Sequence, residues 1–184
     1  MMRTIAASLF ISLDGVIEDP ASWHFPYFND EMGEAVSGQM ADTLLIGRET
    51  YDSFAGAWPE REAEGGEDAG FAKTLGDARK IVVSRQQLEF TWRNSELLKG
   101  DLVEAVTALK NEEGGRIAIS GSVSIVRQLL AAGLLDELHL LVHPIAVRKG
   151  ERLFDEGDES IPLELISSQT FTTGVLYLVY RPAR

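Results

Sequence analysis

Arginine, hydroxyl and glycine residues follow three apolar runs of the sequence, each at the point where the run ends. They are Gly47, Arg48 and Thr50 after the first run, Ser84 and Arg85 after the second, and Gly121, Ser122 and Val123 after the third. A guanidinium group binds phosphate through two parallel hydrogen bonds, and a helix N-terminus binds anions through its free N–H groups. Together these segments predict a phosphate-bearing cofactor that lies across neighbouring strand ends of an open sheet.

Each of these residues also has an ordinary structural role. Gly47 and Gly121 are typical turn glycines, and Arg48 and Arg85 are typical partners in surface ion pairs. Their joint occurrence in this order favours the cofactor site.

Two histidines have a spacing that could suit a metal. His139 and His143 are four positions apart, which places two ligands on one face of a helix. The residues between and after them, Leu140–Val142 and Pro144, favour a strand instead. At about 3.3 Å per residue the two rings are then roughly 13 Å apart, too far to share one ion. We therefore expect no metal site.

Signatures of several other enzyme classes are missing from the sequence. The chain has no cysteine, which excludes disulfides, thiol nucleophiles and thiolate metal sites. It also has no G-x-S-x-G, G-x-x-x-x-G-K-[ST] or G-x-G-x-x-G motif. The signatures of acyl transfer, of P-loop hydrolysis and of the common dinucleotide-binding fold are therefore absent.

The composition is that of a globular protein. The chain has 184 residues, 45% of them hydrophobic and 25% charged, which predicts one folded domain over residues 1–184. No apolar run approaches the ~20 residues that cross a bilayer, and the N-terminal stretch does not fit a signal sequence, so we expect a cytoplasmic protein without a membrane partner. The net charge of −12 argues against a nucleic-acid partner, because such binding depends on lysine and arginine clusters. The acidic segment 59–70 is expected to be a mobile insertion.

Strand-like and helix-like patterns alternate along the chain and must position the three segments. The strand-like runs are rich in β-branched and aliphatic residues: Ile5–Ser12, Thr43–Ile46, Lys80–Ser84, Arg116–Ser120 and Glu137–Ile145. Helices are expected to begin after N-caps at Asp101 and Ser122. Thr173-Gly174 separates two further runs, Leu163–Ser168 and Val175–Arg181, as in a hairpin. We therefore predict an α/β fold with a mostly parallel central sheet, helices on both faces and an antiparallel C-terminal hairpin.

Several motifs occur in an order that resembles a known family. They are Ser12–Ile17, Ile46–Tyr51, Val82–Arg85, Ser120–Ser122, the stretch Leu129–Leu138, His143-Pro144 and Arg152–Phe154. This order is similar to the dihydrofolate-reductase-like superfamily. Within it, the chain resembles the reductase domain at the C-terminus of the riboflavin-biosynthesis deaminase-reductase (the RibD C-terminal domain) and the stand-alone proteins similar to it. The resemblance covers nearly the whole chain and implies a dihydrofolate-reductase-like fold.

The resemblance implies NADPH as the hydride donor. By position, Arg48 and Arg85, together with Ser84, would hold the 2′-phosphate and the adenosine end. Two arginines suit this role, because an additional phosphate on a protein of net charge −12 needs positive compensation.

The remainder of the cofactor site follows from the same resemblance. Thr50 and the Gly121-Ser122 turn, which leads into Val123, would hold the diphosphate. Ile11 and Ile17 would border the nicotinamide, and plain core packing is the alternative role of both.

Hydride transfer also needs a proton for the substrate, from a carboxyl group or a bound water. The acidic residue of folate reductases corresponds in position to Glu31, with Asp30 adjacent, and Asp14 is a third candidate. Trp23 and Phe28 are expected to supply aromatic walls for a planar ring. The alternatives are that residues 29–31 form the capped first turn of a helix and that Asp14 is a turn former.

The sequence departs from the family pattern in three ways. It has Gly121-Ser122 where folate reductases have Gly-Gly, which argues against a folate substrate. It has Arg148-Lys149 where relatives are glycine-rich, and these cations could meet a substrate phosphate or face solvent. It lacks the deaminase half and its zinc signature, so we do not expect the fused two-step riboflavin chemistry.

The sequence therefore predicts an NADPH-dependent reductase of a small heterocyclic or carbonyl- or imine-containing metabolite. The alternative is a non-catalytic nucleotide- or ligand-binding protein of the same fold. By resemblance we also expect a homodimer through the apolar strand Glu137–Ile145.

Overall fold

Eight strands form one sheet. The structure is a computed structural model that describes residues 2–183. The strands are β1 (Ile5–Ser12), β2 (Thr43–Gly47), β3 (Arg79–Val83), β4 (Ser95–Leu97), β5 (Ile117–Ser120), β6 (Glu137–His143), β7 (Leu163–Thr170) and β8 (Leu176–Pro182). Their order in the sheet is β4-β3-β2-β5-β1-β6-β8-β7. Neighbours from β4 to β6 are parallel, whereas β8 is antiparallel to both β6 and β7, so the predicted sheet and its C-terminal hairpin are confirmed.

Helices cover both faces of the sheet, as predicted. They are α1 (Asp30–Ser37), α2 (Arg48–Glu64), α3 (Ala69–Asp77), α4 (Leu102–Lys110) and α5 (Val123–Ala131), with two short 3₁₀ helices at Pro20–Ser22 and Phe25–Tyr27. Helices α4 and α5 pack on one face, around residues such as Ile117 and Leu45. Helices α2 and α3 pack on the other face, where Met32 of α1 also lies against β6.

Strand β2 shows why the central strands read as continuous apolar runs. Leu45 belongs to the core beneath α4 and α5, whereas Leu44 and Ile46 belong to the core beneath α2 and α3. Successive side chains of a strand point to opposite faces, so a strand covered on both faces needs apolar residues at every position.

The predicted start of α4 is confirmed in detail. The carboxylate of Asp101 accepts a hydrogen bond from the backbone N–H of Glu104 at 3.1 Å. An N-cap of this kind satisfies one of the donors that a helix leaves free at its beginning.

The structure adds two elements that the sequence patterns did not predict. Strand β4 has only three residues, Ser95–Leu97, too few for a periodic pattern. The acidic segment 59–70, expected as an insertion, is largely helical, because α2 continues through Pro59 to Glu64 and α3 begins at Ala69. Only Gly65, with φ +71°, and the next three residues turn the chain between the two helices. The mobility of this segment remains a prediction.

Lys80 in β3 has a structural role that its strand pattern did not indicate. Its side chain is fully buried and donates hydrogen bonds to the carbonyls of Leu75, Gly76 and Ala78 at 2.8–2.9 Å. The ammonium group also lies 4.2 Å from the centre of the Trp92 ring. Burial lowers the pKa of Lys80 to about 8. The lysine thus satisfies the carbonyls at the C-terminal end of α3.

Strand β6, where the dimer surface was predicted, lies inside the sheet. It pairs with β1 on one side and β8 on the other, and Leu138 and Leu141 are fully buried. The strand therefore offers no free edge to a second subunit. Across residues 2–183, no helix combines the length and the apolar character that crossing a membrane requires.

Candidate active site

A crevice opens between the carboxyl ends of β2 and β5. These strands pair only at Thr43 with Ile117 and at Leu44 with Ala118, so beyond these residues they diverge. The chain leaves β2 through α2 on one face of the sheet and leaves β5 through α5 on the other. Such a reversal is the place where open α/β sheets bind ligands.

Four predicted residues meet in this crevice. The backbone N–H of Gly47 donates to the hydroxyl oxygen of Ser122 at 2.7 Å, and this oxygen lies 3.1 Å from the hydroxyl of Thr50. Gly121 has φ +66°, and a Cβ added there would lie 3.2 Å from the Thr50 hydroxyl oxygen. The structure therefore brings the first and third predicted segments together.

The role of Ser122 differs from the predicted N-cap. Its backbone is left-handed, with φ 56°, and its side chain makes no capping hydrogen bond to α5. The hydroxyl instead joins the two sides of the crevice. Helix α2 also begins without a side-chain cap, at Gly47. Two helix N-termini without side-chain caps thus face the crevice, and their partial positive charge favours an anion.

The second predicted segment lies beside the N-terminus of α2. The guanidinium of Arg48 donates to the side-chain oxygen of Gln86 at 2.5 Å and lies 3.5 Å from the carboxylate of Asp52. The hydroxyl of Ser84 accepts the backbone N–H of Gln86 at 3.1 Å. Gln86 was not predicted, and only its position two residues after Ser84 could have indicated it.

Exposed basic residues without a carboxylate partner lie at this end of the sheet. Within residues 2–183 they are Arg85, Lys99, Arg148 and Lys149. Each follows the carboxyl end of a strand, namely β3, β4 or β6. In a chain of net charge −12 this places unneutralised positive charge where the crevice opens.

The apolar residues predicted for the nicotinamide end belong to the core beneath α5. Ile11 and Val123 are buried, at 6% and 7% exposure, and Ile17 packs against the same cluster. This location fits both a border of the cofactor site and plain core packing, so both roles remain open.

Two of the three candidate carboxylates, Asp14 and Glu31, hold loops in place, and their role as proton donors remains a prediction. Hydrogen bonds, first from the Ser12 hydroxyl and then from the N–H groups of Arg148 and Val147, lower the pKa of Asp14 to about 2. The pKa of Glu31 is lowered mainly by the N–H and hydroxyl of Thr172. These hydrogen bonds favour the anionic form of both carboxylates.

Asp30 and the aromatic residues have different surroundings. Asp30 is exposed at the start of α1 and makes no side-chain hydrogen bond within residues 2–183. Phe28 is 52% exposed and could serve as a wall, but Trp23 is buried and its indole N–H donates to the Glu18 carbonyl. Phe25, which belongs to the same aromatic stretch, is 64% exposed and is a further candidate for such a wall.

A concave surface of about 430 Å³ lies at the opposite, amino-terminal end of the sheet. Its basic residue, Arg79, is paired with Glu96 and Glu112. Because this guanidinium is already neutralised, the crevice between β2 and β5 is the better phosphate site.

Comparison with known proteins places the chain in a family. The family model described as the RibD C-terminal domain matches residues 3–177. The chain belongs to this family. Among proteins similar to this chain, Bacillus subtilis (strain 168) has YyaP, 29% identical over 181 residues, with 97% of this chain and 94% of YyaP covered. It also has YwjB, 25% identical over 182 residues, with 95% and 96% covered.

Solved structures share the fold of this RibD C-terminal domain. A protein from Shewanella sp. PV-4, described as a riboflavin biosynthesis protein, superimposes with a TM-score of 0.71 at 21% identity, covering 98% of this chain and 99% of that one. A pyrimidine reductase-like protein from Corynebacterium diphtheriae gives a TM-score of 0.67 at 17% identity, covering 99% and 92%. The dihydrofolate-reductase-like fold predicted from the sequence is confirmed.

Proposed function

We propose that this RibD C-terminal domain protein is an NADPH-dependent reductase that transfers hydride to a small heterocyclic or carbonyl- or imine-containing metabolite. The observation that carries the proposal is the crevice between β2 and β5, where two helix N-termini without side-chain caps, two glycines and two hydroxyls converge. Membership of a family that resembles reductases supports the same activity.

The crevice fits a diphosphate. At Gly47 and at Gly121 an added Cβ would lie 3.2 Å from a hydroxyl oxygen, and the φ of +66° at Gly121 also favours glycine, so the two glycines keep this backbone open to a ligand. The hydroxyls of Thr50 and Ser122 would hold the diphosphate together with the N–H groups that begin α2 and α5. NADPH, when bound, supplies the hydride.

The residues after β3 suit a 2′-phosphate. Arg85 is exposed and unpaired, while Arg48 is fixed by Gln86 on the neighbouring segment. An unpaired guanidinium does not have to break an ion pair before it binds phosphate, so the whole free energy of the new contact contributes to binding. In our proposal Arg85 therefore contributes more to recognition of the 2′-phosphate than Arg48, and Ser84 supports both through Gln86.

The proton for the substrate has fewer possible sources than the sequence suggested. The carboxylates of Asp14 and Glu31 accept loop hydrogen bonds that oppose their protonation. Asp30, which makes no such bond within residues 2–183, and water are therefore the proposed donors.

The activity is tested by mixing the protein with NADPH and a panel of pterins, pyrimidines and aldehydes and following NADPH oxidation. We expect oxidation with at least one compound and at least tenfold weaker NADPH binding in Gly121→Ala, because the new methyl group crowds Thr50. Gly157→Ala, in an open exposed loop, is the matched control and should bind as the wild type does. If Gly121→Ala binds NADPH as tightly as the wild type does, the crevice between β2 and β5 is not the NADPH-binding site.

A non-catalytic nucleotide-binding protein is the second candidate. It is favoured by the engagement of the Asp14 and Glu31 carboxylates in loop hydrogen bonds, which oppose their use as proton donors. Binding of NADPH without oxidation by any compound of the panel would support it.

A further inference from the structure

His143 lies at the carboxyl end of β6, fully buried among aromatic side chains. Four rings surround it, with centroids at 5.2–6.0 Å and planes at 81–86° to the imidazole: Phe10, Trp23, His24 and Tyr27. We call these four rings with His143 the aromatic cluster. None of the chemistry proposed above uses it.

The hydrogen bonding of His143 fixes its tautomer. Its Nδ1 lies 2.8 Å from the carbonyl oxygen of Leu141, and because a carbonyl only accepts, Nδ1 carries the hydrogen. In the neutral ring, Nε2 is then an acceptor without a hydrogen. Nε2 is buried and has no hydrogen-bond partner within the described residues. A proton on Nε2 would create a buried cation with no acceptor, which is costly.

His24 connects the aromatic cluster to the exposed rings of Phe25 and Phe28, which we call the aromatic wall. Its ring stacks on Phe10, with centroids 4.6 Å apart and planes 15° apart, and lies 4.2 Å from the ring of Phe25. The ring of Phe28 lies edge-on at 6.3 Å. The Nδ1 atom of His24, like Nε2 of His143, is buried without a partner. The two exposed phenylalanines thus rest on a histidine that rests on the sheet.

The segment that carries these rings has no backbone attachment to the sheet. Within the part of the chain described, the hydrogen bonds of residues 20–28 run only to residues 18–28. Trp23, for example, bonds to Pro20 and Glu18. Ring packing against Phe10 and His143 is therefore what places the segment.

We propose that His143 is the positioning residue for the aromatic wall: its uncharged imidazole holds His24, and through His24 the exposed rings of Phe25 and Phe28, against the sheet. That Phe25 and Phe28 form a substrate surface rests on the proposed function. That His143 keeps them in place does not depend on it. A proton on His143 would break the contact and release residues 20–28.

The surroundings of His143 agree with an uncharged ring. The titratable groups that face it, His24 and Tyr27, both come from residues 20–28, while β1 contributes Phe10 and the carbonyl of Ile11. Burial lowers the pKa of His143, against the opposing effect of the Leu141 and Ile11 carbonyls. Burial, and then the charge of His143, lower the pKa of His24. Both histidines are therefore neutral at pH 7.

The test uses ¹⁵N spectra of the histidine rings in the ligand-free protein, with Phe25 and Phe28 proton shifts as the readout of the wall. The chain has 3 histidines, so single substitutions assign them all. We expect Nδ1 of His143 protonated and Nε2 unprotonated at pH 7. On acidification, protonation of His143 should coincide with loss of the ring-current shifts of Phe25 and Phe28.

His143→Gln separates positioning from bulk packing, because it keeps an N–H donor for the Leu141 carbonyl but cannot titrate. The acid step should be lost in this variant and persist in His139→Gln, the control on the same strand, whose ring bonds to Tyr177 and Glu137.

A hydrogen on Nε2 of wild-type His143 at pH 7, or an acid step that survives in His143→Gln, would overturn the proposal. The tautomer measurement needs no variant, so it decides even if His143→Gln fails to fold. No readout involves NADPH or a substrate, so these results are independent of the proposed reductase activity.

Discussion

Residue types at strand ends indicated the crevice between β2 and β5, but the hydrogen-bond partners of the acidic residues are seen only in the structure. That Gly47, Thr50, Gly121 and Ser122 meet was predictable, because each follows an apolar strand and the carboxyl ends of parallel strands lie at one end of the sheet. The states of Asp14 and Glu31 were not, because their partners Val147 and Thr172 lie more than a hundred residues away in the chain. Long-range hydrogen bonds of this kind leave no local pattern.

Asp14 makes a testable contribution to acid stability. Its pKa lies at about 2 in the folded protein and near 3.8 when unfolded, so its contribution is complete above about pH 4 and disappears as the pH falls to about 2. Asp14→Asn should therefore be less stable than the wild type at pH 6, with the difference narrowing below pH 4. Urea unfolding across this range measures it.

Asp30→Asn is the control for this experiment, because Asp30 makes no side-chain hydrogen bond within residues 2–183. A difference between Asp14→Asn and the wild type that stays constant from pH 6 to pH 2 would refute the anchoring role of the carboxylate.

Among the elements, the long apolar strands and the capped helix α4 were predictable and the short or polar ones were not. Strand β1 was predicted with its observed bounds, Ile5–Ser12. Strand β4 has only three residues and forms because it pairs with β3. Such a tertiary contact leaves no periodic pattern in the sequence. Helix α2 continues through Pro59, where local rules predict an end.

The end of α3 depends on Lys80, and its removal should be costly. Lys80→Met keeps the length of the side chain but leaves three carbonyls without a donor, so we expect a loss on the order of 2 kcal/mol in the free energy of unfolding. Lys73→Met removes a lysine that is exposed and paired only with Asp77, and should cost less than about 1 kcal/mol.

Chemical denaturation of both variants measures this difference. Equal stability of the two variants would contradict a capping role for Lys80.

At the scale of the whole molecule, the mostly parallel sheet followed from alternating strands and helices, but its strand order did not. The order decides that β6 is internal and that β7 forms an edge. The homodimer remains a prediction, and we now propose that it forms through β7. Leu165 and Ile166 of this strand are 51% and 49% exposed, on an edge whose backbone groups have no partner strand.

Light scattering of the wild type and of Leu165→Lys tests this surface. We expect a dimer that becomes a monomer on substitution, because a buried unpaired lysine opposes association. Val103→Lys changes a residue that is 36% exposed on α4 and is the matched control. A monomeric wild type, or a Leu165→Lys variant that remains dimeric, would exclude β7 as the interface.

The most direct measurement of the central claim is the pair of dissociation constants for NADPH and NADH, in the wild type and in Arg85→Ala. The account predicts that NADPH binds at least tenfold more tightly than NADH, since a charged hydrogen bond contributes about 1.5–3 kcal/mol. Arg85→Ala should remove most of this preference without changing NADH affinity, and Arg181→Ala, whose guanidinium is paired with Glu164 on the C-terminal hairpin, should retain it. Equal affinities for the two nucleotides in the wild type would contradict the account.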